Sequence, residues 1–437
     1  MGEVSPSSVV RGRGRRAAVI VVAAVAVVAL LVWLLPPAGG FAVVLLALIG
    51  SFVAVPALLL RGRLRRALGG LGGFVLFVGL LALVLRLRFG GGEPYPDLTT
   101  EPRVPDAALE AAVTSDEPIG NVAVTPEGRI FYTIHPESRP EGARLLEWNG
   151  KQGVPWPSAE LQDGLGPILG LAVDGRGRLW TIGHGLHGVR APTLFAFELA
   201  TGRVAHEHAF TDAELGSFYQ DLEVSHDGRT VYIADASFWR RRPAIVVYDA
   251  ETQQTVRRLA AHASVYPQRW IIRTPAKDMV FFGGVVALQT GLDGIVLSHD
   301  DAWLYYAAMS HDTLFRVKTA ELRDPGLSDA DLAARVEAIG KKPLSDGIGI
   351  DAEGNVLVTD VEHGAIVRVA PSGAAATLVK TPRIRWADGV TFGPDGWLYI
   401  ADSDIPDQML QSKAHIREHA PYHVWRLRPD IGGVAGR

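Results

Sequence analysis

Cysteine is absent from the 437 residues. That excludes disulfide frameworks, thiolate metal sites and cysteine nucleophiles in one step. A large charge of either sign is also missing: the formal net charge is −4, which gives no reason to expect nucleic acid as a partner. No glycine-rich phosphate loop, no G-x-S-x-G elbow and no H-E-x-x-H helix occurs, and no spacing argues for Ser-His-Asp catalysis. Apolar residues, by contrast, are abundant at 48%, and they are unevenly spread.

Three uncharged apolar runs crowd the N-terminal end: Ala17 to Leu35, Phe41 to Leu60 and Ala67 to Leu85. Each is near the ~20 residues that cross a hydrocarbon core as a helix. A cleaved secretory signal would have an apolar stretch of only ~7–15 residues, and two further spans do not normally follow its cleavage site. The expectation is a membrane region over 1–88 with three transmembrane helices. Arg11, Arg13, Arg15 and Arg16 precede the first run, and Arg61, Arg63, Arg65 and Arg66 separate the second from the third. Arginine-rich flanks stay in the cytoplasm, so the N-terminus is expected inside and everything after the third crossing outside, although Arg86 and Arg88 stand at its outer end. Residues 89–105, rich in Gly, Pro and acid, read as a linker.

From 106 to 437 the chain repeats itself. Asn121 (NVAVTPEGRIFYT), Gly170 (GLAVDGRGRLWTI), Asp221 (DLEVSHDGRTVYIAD), Gly294 (GIVLSHDDAWLYYAA), Gly347 (GIGIDAEGNVLVTD) and Gly389 (GVTFGPDGWLYIAD) open six copies. Each copy runs from one alternating strand through a polar turn to another, and a third strand follows, from Leu145, Thr193, Ala244, Thr313, Ala365 and His423. The strand ends Val124, Val173, Val224, Leu297, Ile350 and Phe392 are 49, 51, 73, 53 and 42 residues apart. Such a period predicts an all-β six-bladed β-propeller rather than two stacked sandwiches. The wide interval implies an insertion at Ala260 to Thr290. Ala107 to Val113 is a candidate strand for closing the last blade, and Leu327 to Ile339 reads as a short amphipathic helix capped by Ser328 or Asp329.

In a propeller the residue before each innermost strand faces the central channel. Here those positions are Gly120, Leu169, Gln220, Asp293, Asp346 and Asp388, with Asp221 beside the third. Three carboxylates converging on one axis repel unless a cation or a protonated group lies between them. Hard oxygen donors suit Ca²⁺, Mg²⁺ or Mn²⁺. The bland alternative is turn chemistry, an Asp capping backbone amides in an Asp-Gly pair. His184 and His187 could line the same mouth. His206 and His208 share one face of a strand, and His415 and His419 lie in the last loop of the final blade, before His423. Phe238, Trp239, Trp270 and Trp386 offer aromatic faces, although core packing is the commoner role for such residues.

The runs DGIVLSHDDAWLYYAAMSHDTLFRVKTAELRD and LSDADLAARVEAIGKKPLSDGIGIDAEGNVLVTDVEHGAIVRV resemble the major royal jelly protein/Yellow family in its bacterial form, and so do AIVVYDAETQQTVRRLAAHASVYP and RIRWADGVTFGPDGWLYIADSDI. That family is related to the senescence marker protein/gluconolactonase-like six-bladed propellers. The likeness spans about Glu110 to Pro429 and omits the apolar N-terminal runs. Its gluconolactonase side implies a metal-dependent lactonase, with Asp293 and Asp346 matching metal ligands, Gln220-Asp221 an altered pair, and Glu117 or Asn121 in place of a glutamate. Asp346 or Asp388 would then accept the proton. Its royal jelly side implies a binder of small amines or other ligands, with Trp386, Trp270 or His184 against them. The expected partners are a small molecule and the lipid bilayer, and an envelope protein if the propeller is a scaffold.

Overall fold

The computed structural model describes residues 77–436. The first two apolar runs, and the third up to residue 76, lie outside them. Among the described residues no helix is long and apolar enough to cross a membrane. Residues 77–91 and 281–286 belong to one compact unit, in which the 77–89 helix donates from Arg86 to the Gly284 carbonyl at 2.9 Å.

The rest of the described chain, 92–280 and 287–436, is the propeller. It consists of six four-stranded antiparallel sheets. Blade I holds Ile119–Val124, Ile130–Ile134, Leu145–Trp148 and Gly153–Pro155, in order from the axis outwards. Blade II holds Ile168–Val173, Arg178–Gly183, Thr193–Glu198 and Val204–Ala209. Blade III holds Tyr219–Val224, Thr230–Asp235, Ala244–Asp249 and Gln254–Arg258. Blade IV holds Leu292–Leu297, Trp303–Ala308, Thr313–Lys318 and Glu337–Lys341. Blade V holds Ile348–Ile350, Val356–Asp360, Ala365–Val369 and Ala375–Lys380. Blade VI takes Ala387–Phe392, Leu398–Asp402 and Tyr422–Leu427, and Glu110–Ser115 adds its outer strand. That pairing closes the ring, three residues further along than Ala107 to Val113, because Asp106–Ala108 forms a 3-10 turn.

Most blades bury both faces, so their strands read as apolar runs more than as clean alternation. Six apolar clusters each fill the space between two neighbouring blades, for example Leu357, Ile366 and Leu378 against Val390, Phe392 and Ile400. The amphipathic segment at 327–339 is divided. Ser328 caps a helix of only five residues, Asp329–Ala333, and Glu337–Lys341 is drawn off as the fourth strand of blade IV. The sheet requirement overrides the helical periodicity there. In the insertion, Trp270–Ile271 pairs in parallel with Glu93–Pro94. Farther along, Arg103 and Val104 donate to carbonyls of the blade V outer strand.

Candidate functional site

In five blades the ladder between the two inner strands slips at the start of the first strand: at Ile119/Val122, Ile168/Leu171, Tyr219/Asp221, Leu292/Gly294 and Ala387/Gly389. In blade V the inner strand starts only at Ile348, and the Asp346 amide bonds instead to the Thr359 hydroxyl (3.1 Å). A bulge leaves one residue out of the ladder and re-aims its side chain. The residues so placed are Gln220, Asp293 and Asp388, with Asp346 equivalent to them.

The glycine after each aspartate serves close packing. A Cβ on Gly347 would sit 2.2 Å from the Asp388 carbonyl oxygen, and one on Gly294 would sit 2.8 Å from that of Asp346. Neither glycine has a positive φ. The Asp-Gly pairs are therefore the points where neighbouring blades touch at the axis. Asp293-Gly294 and Asp388-Gly389 lie within strands and not in turns.

The acids form one network. Gln220 Nε2 donates to Asp293 Oδ1 at 2.5 Å and lies 3.4 Å from Asp346 Oδ1. Trp386 Nε1 donates to Asp346 Oδ2 at 2.6 Å. Gln220 Nε2 thus lies between Asp293 and Asp346, whose charges act on each other. Asp293, Asp346 and Asp388 are each at most 4% exposed. Burial pushes the Asp346 carboxyl up to about 7. It raises Asp293 and Asp388 well above the carboxylate range too, with the negative charge of Asp346 adding to both. Asp221, whose Oδ1 accepts the Leu222 amide (2.9 Å), is also pushed up to about 7 by burial. Asp293 Oδ2 and Asp388 Oδ2 are buried without any hydrogen-bond donor.

Two cation-capable groups stand near these acids. Lys342 is fully buried; Nζ donates to the Pro343 carbonyl (3.0 Å) and the Ser345 hydroxyl (2.9 Å). Burial lowers its pKa to about 7, against the opposing pull of Asp293, Asp312 and Asp360. His135 Nε2 lies 3.6 Å from Asp388 Oδ2, and burial together with nearby His184 holds that imidazole neutral, at about 3. Its Nδ1 accepts the Glu137 amide at 3.1 Å.

Not every expected residue joins them. Glu117 lies apart: its charged neighbours are Lys413, Glu141, Arg417 and Asp116, because it precedes the bulge. Asn121 turns back on its own strand, accepting the Val122 amide. Trp386 is fully buried, so it orients Asp346 and offers no open ring face. Trp270 packs edge-on against Tyr95 at 4.9 Å and donates to Gln268. His184 is buried and stacked on Phe218 (4.3 Å), with His187 on the same ring (4.7 Å) and Trp239 beyond it. His206 bonds to the Tyr248 hydroxyl at 2.9 Å on an outer strand, as a structural residue.

His135 and Lys342 were missed. A signal existed for the first: the loop after the second strand carries histidine in blades I, II, IV and V, at His135, His184, His311 and His363. Directly beyond the acids the channel continues along the inner strands as a cavity of about 40 Å³, lined by Asn121, Asp221, Gly347 and Gly389 and, from the C-terminal tail, by Gly436.

An acid-lined, six-bladed propeller is thus the class that fold and site define. The family model described as major royal jelly protein matches residues 168–379, which is blades II to V and includes Gln220, Asp221, Asp293 and Asp346 but not Asp388. Major royal jelly protein 9 of Apis mellifera is 26% identical over 180 residues, 38% of this chain and 40% of that protein. The resemblance of this chain to the major royal jelly protein family therefore holds, while the chain spans about two fifths of the length of that relative. Among solved structures it is similar to a gluconolactonase of Xanthomonas campestris (16% identity, TM-score 0.47, 74% of this chain and 89% of that one). It is similar also to regucalcin, a calcium-binding protein of Agrobacterium tumefaciens (15%, TM-score 0.47, 75% and 96%). Likenesses of that size say nothing about ligand or reaction.

Proposed function

We propose that this propeller takes a small molecule at the acid end of its channel and hydrolyses a lactone or ester there, with one hard divalent cation (Ca²⁺, Mg²⁺ or Mn²⁺) as cofactor. The observation that carries this is the pair of buried carboxylate oxygens without donors, Asp293 Oδ2 and Asp388 Oδ2, inside a group of mutually repelling acids. The donor set fits such an ion. It is all oxygen once the Gln220 amide turns over to present Oε1, and Asp293 and Asp346 complete it. A bound divalent cation supplies polarisation of a carbonyl and acidification of water.

The chain's own residues do the rest. Trp386 fixes Asp346, and Gln220 spaces Asp293 from Asp346. In the cation-free protein burial holds the Asp346 carboxyl near 7; with the cation bound it would be ionised, ready to accept a proton from water and return it. Asp388, beside neutral His135, is the second acceptor. Lys342 limits the net negative charge of the cluster.

A second use has its own support. The rings of Phe218, His184, His187 and Trp239 form an aromatic group, and His184 lies within electrostatic reach of His135 beside Asp388. Aromatic faces combined with carboxylates recognise a protonated amine. In either case we propose that the propeller lies outside the cytoplasm, tethered to the bilayer by the apolar N-terminal runs, an orientation supported by the two arginine clusters. Protease accessibility of the propeller in intact cells tests the orientation.

The test of function uses the full chain in detergent, stripped with chelator and given back each cation. Lactone turnover restored in the wild type but not in Asp346→Asn is the expected result. No turnover of lactones or esters with any of the three ions would sink the hydrolase. Amine binding abolished by Asp293→Asn, without turnover, would establish the second use instead.

A further inference from the structure

The long loop between the second and third strands of blade VI, residues 403–421, lies at the same end as Asp388, because Ala387 pairs with Asp402 and Asp402 with His423. It contains the 3-10 turn Ile405–Asp407 and the helix Lys413–Glu418, which Ser412 caps by accepting the His415 amide at 3.1 Å. His415 and His419 are four apart and share one helix face. Asp407 meets them from the turn.

We propose that Asp407, His415 and His419 are a zinc site, separate from the channel. His415 Nε2 lies 2.9 Å, and His419 Nε2 3.6 Å, from Asp407 Oδ1, and the two rings are 4.2 Å apart. All three ligand atoms lie within 4.8 Å of one another. Tetrahedral ligands at zinc distances are separated by about 3.3 Å, so the observed spacing needs only small side-chain shifts. For His419 the tautomer is already set for binding, whereas His415 Nε2, which donates to Asp407 Oδ1 at 2.9 Å, would give up its proton to the metal. His419 Nδ1 donates to the His415 carbonyl at 2.8 Å, which leaves Nε2 with its lone pair facing Asp407.

The Arg385 guanidinium is taken up elsewhere. Arg385 is held by Asp404 (2.7 Å) and by the carbonyls of His419 (2.8 Å) and Pro421 (3.1 Å). Lys277 feels the charge of both Asp407 and Asp404. All three ligands are partly exposed, so water can fill the remaining position. Imidazole nitrogen selects zinc over Ca²⁺ or Mg²⁺, the ions that suit the all-oxygen channel acids. The site would also brace the ring's seam, since this loop leans on blade I through Arg139 to the Gln411 carbonyl (2.6 Å) and Lys413 to the Arg139 carbonyl.

The test uses the untagged full chain, stripped of metal and titrated with Co²⁺ as a spectroscopic stand-in and then with Zn²⁺. One equivalent giving visible d–d absorption, displaced by Zn²⁺, and a rise in melting temperature with Zn²⁺ are expected. His419→Ala should weaken binding at least about 10-fold and abolish the stabilisation, as loss of a metal contact typically does. Asp407→Asn serves if His419→Ala fails to fold, and Asp293→Asn should leave the cobalt signal intact. Absence of Co²⁺ and Zn²⁺ uptake at micromolar metal, or uptake equal in wild type and both loop variants, would overturn the proposal.

Discussion

The six blades use one backbone position in two ways. In blades III to VI the residue at the start of the inner strand is Gln220, Asp293, Asp346 and Asp388; in blades I and II it is Gly120 and Leu169. The backbone slips at this point on both sides of the ring. Only the side chains differ. On the silent side polar groups come from one level higher, as His135 and His184 of the loops after the second strands. The ring thus sets carboxyls across from imidazoles that burial keeps neutral, and the neutral side adds no positive charge to relieve the acids. The strain is confined to one arc of the channel, and the raised pKa values of its carboxyls express it.

Breaking the acid arc should have the largest effect. Asp346→Asn is expected to reduce hydrolysis by roughly 10²–10⁴-fold, as for loss of a general base, with the fold retained, read by initial rates on a chromogenic lactone or ester. Removing the close approach that aligns the arc comes next. Gly347→Ala should cost about 1–3 kcal/mol, because its Cβ meets the Asp388 backbone, whereas Gly142→Ala, with no atom within 4 Å, should be near neutral in denaturant melts. Trp386→Phe takes away the donor to Asp346 and should cost about 1–3 kcal/mol in the same assay.

Smaller is the pH effect on the cation-free protein. Asp346 binds its proton more tightly folded, at about 7, than unfolded, so its contribution to stability is full below about pH 4 and lost as pH rises through 7. His135 and His184, held at about 3, act oppositely, losing stability as pH falls below about 6.5. The difference in melting temperature between Asp346→Asn and wild type isolates the first effect and should grow in favour of Asn from pH 5 to 8. A flat difference would remove Asp346 from the strained arc. Glu117→Gln should change neither turnover nor cation uptake, since its charged neighbours are Lys413, Glu141, Arg417 and Asp116.

The repeat made the blades legible because each copy must bury both faces, and that demand writes itself into spacing. The same register gives Asp293, Asp346 and Asp388 equivalent positions in their blades. It could not distinguish an Asp-Gly turn from an Asp-Gly contact between blades, since the second depends on what lies 2.2 Å away in the next blade. Trp386 resembled a stacking surface because its neighbour Asp388 faces the channel, yet its own side chain lies beneath Asp346. Lys342 was hidden for a similar reason: its role comes from burial beside an acid 49 residues earlier in the chain, Asp293. The 327–339 segment failed because a five-residue helix and an edge strand together imitate one amphipathic period.

Equilibrium dialysis of the full chain against Mn²⁺, for wild type, Asp293→Asn and His419→Ala, tests the central claim most directly. One Mn²⁺ per wild-type chain is expected, lost in Asp293→Asn and retained in His419→Ala. Absence of Mn²⁺ from the wild type, or equal uptake by Asp293→Asn, would contradict it.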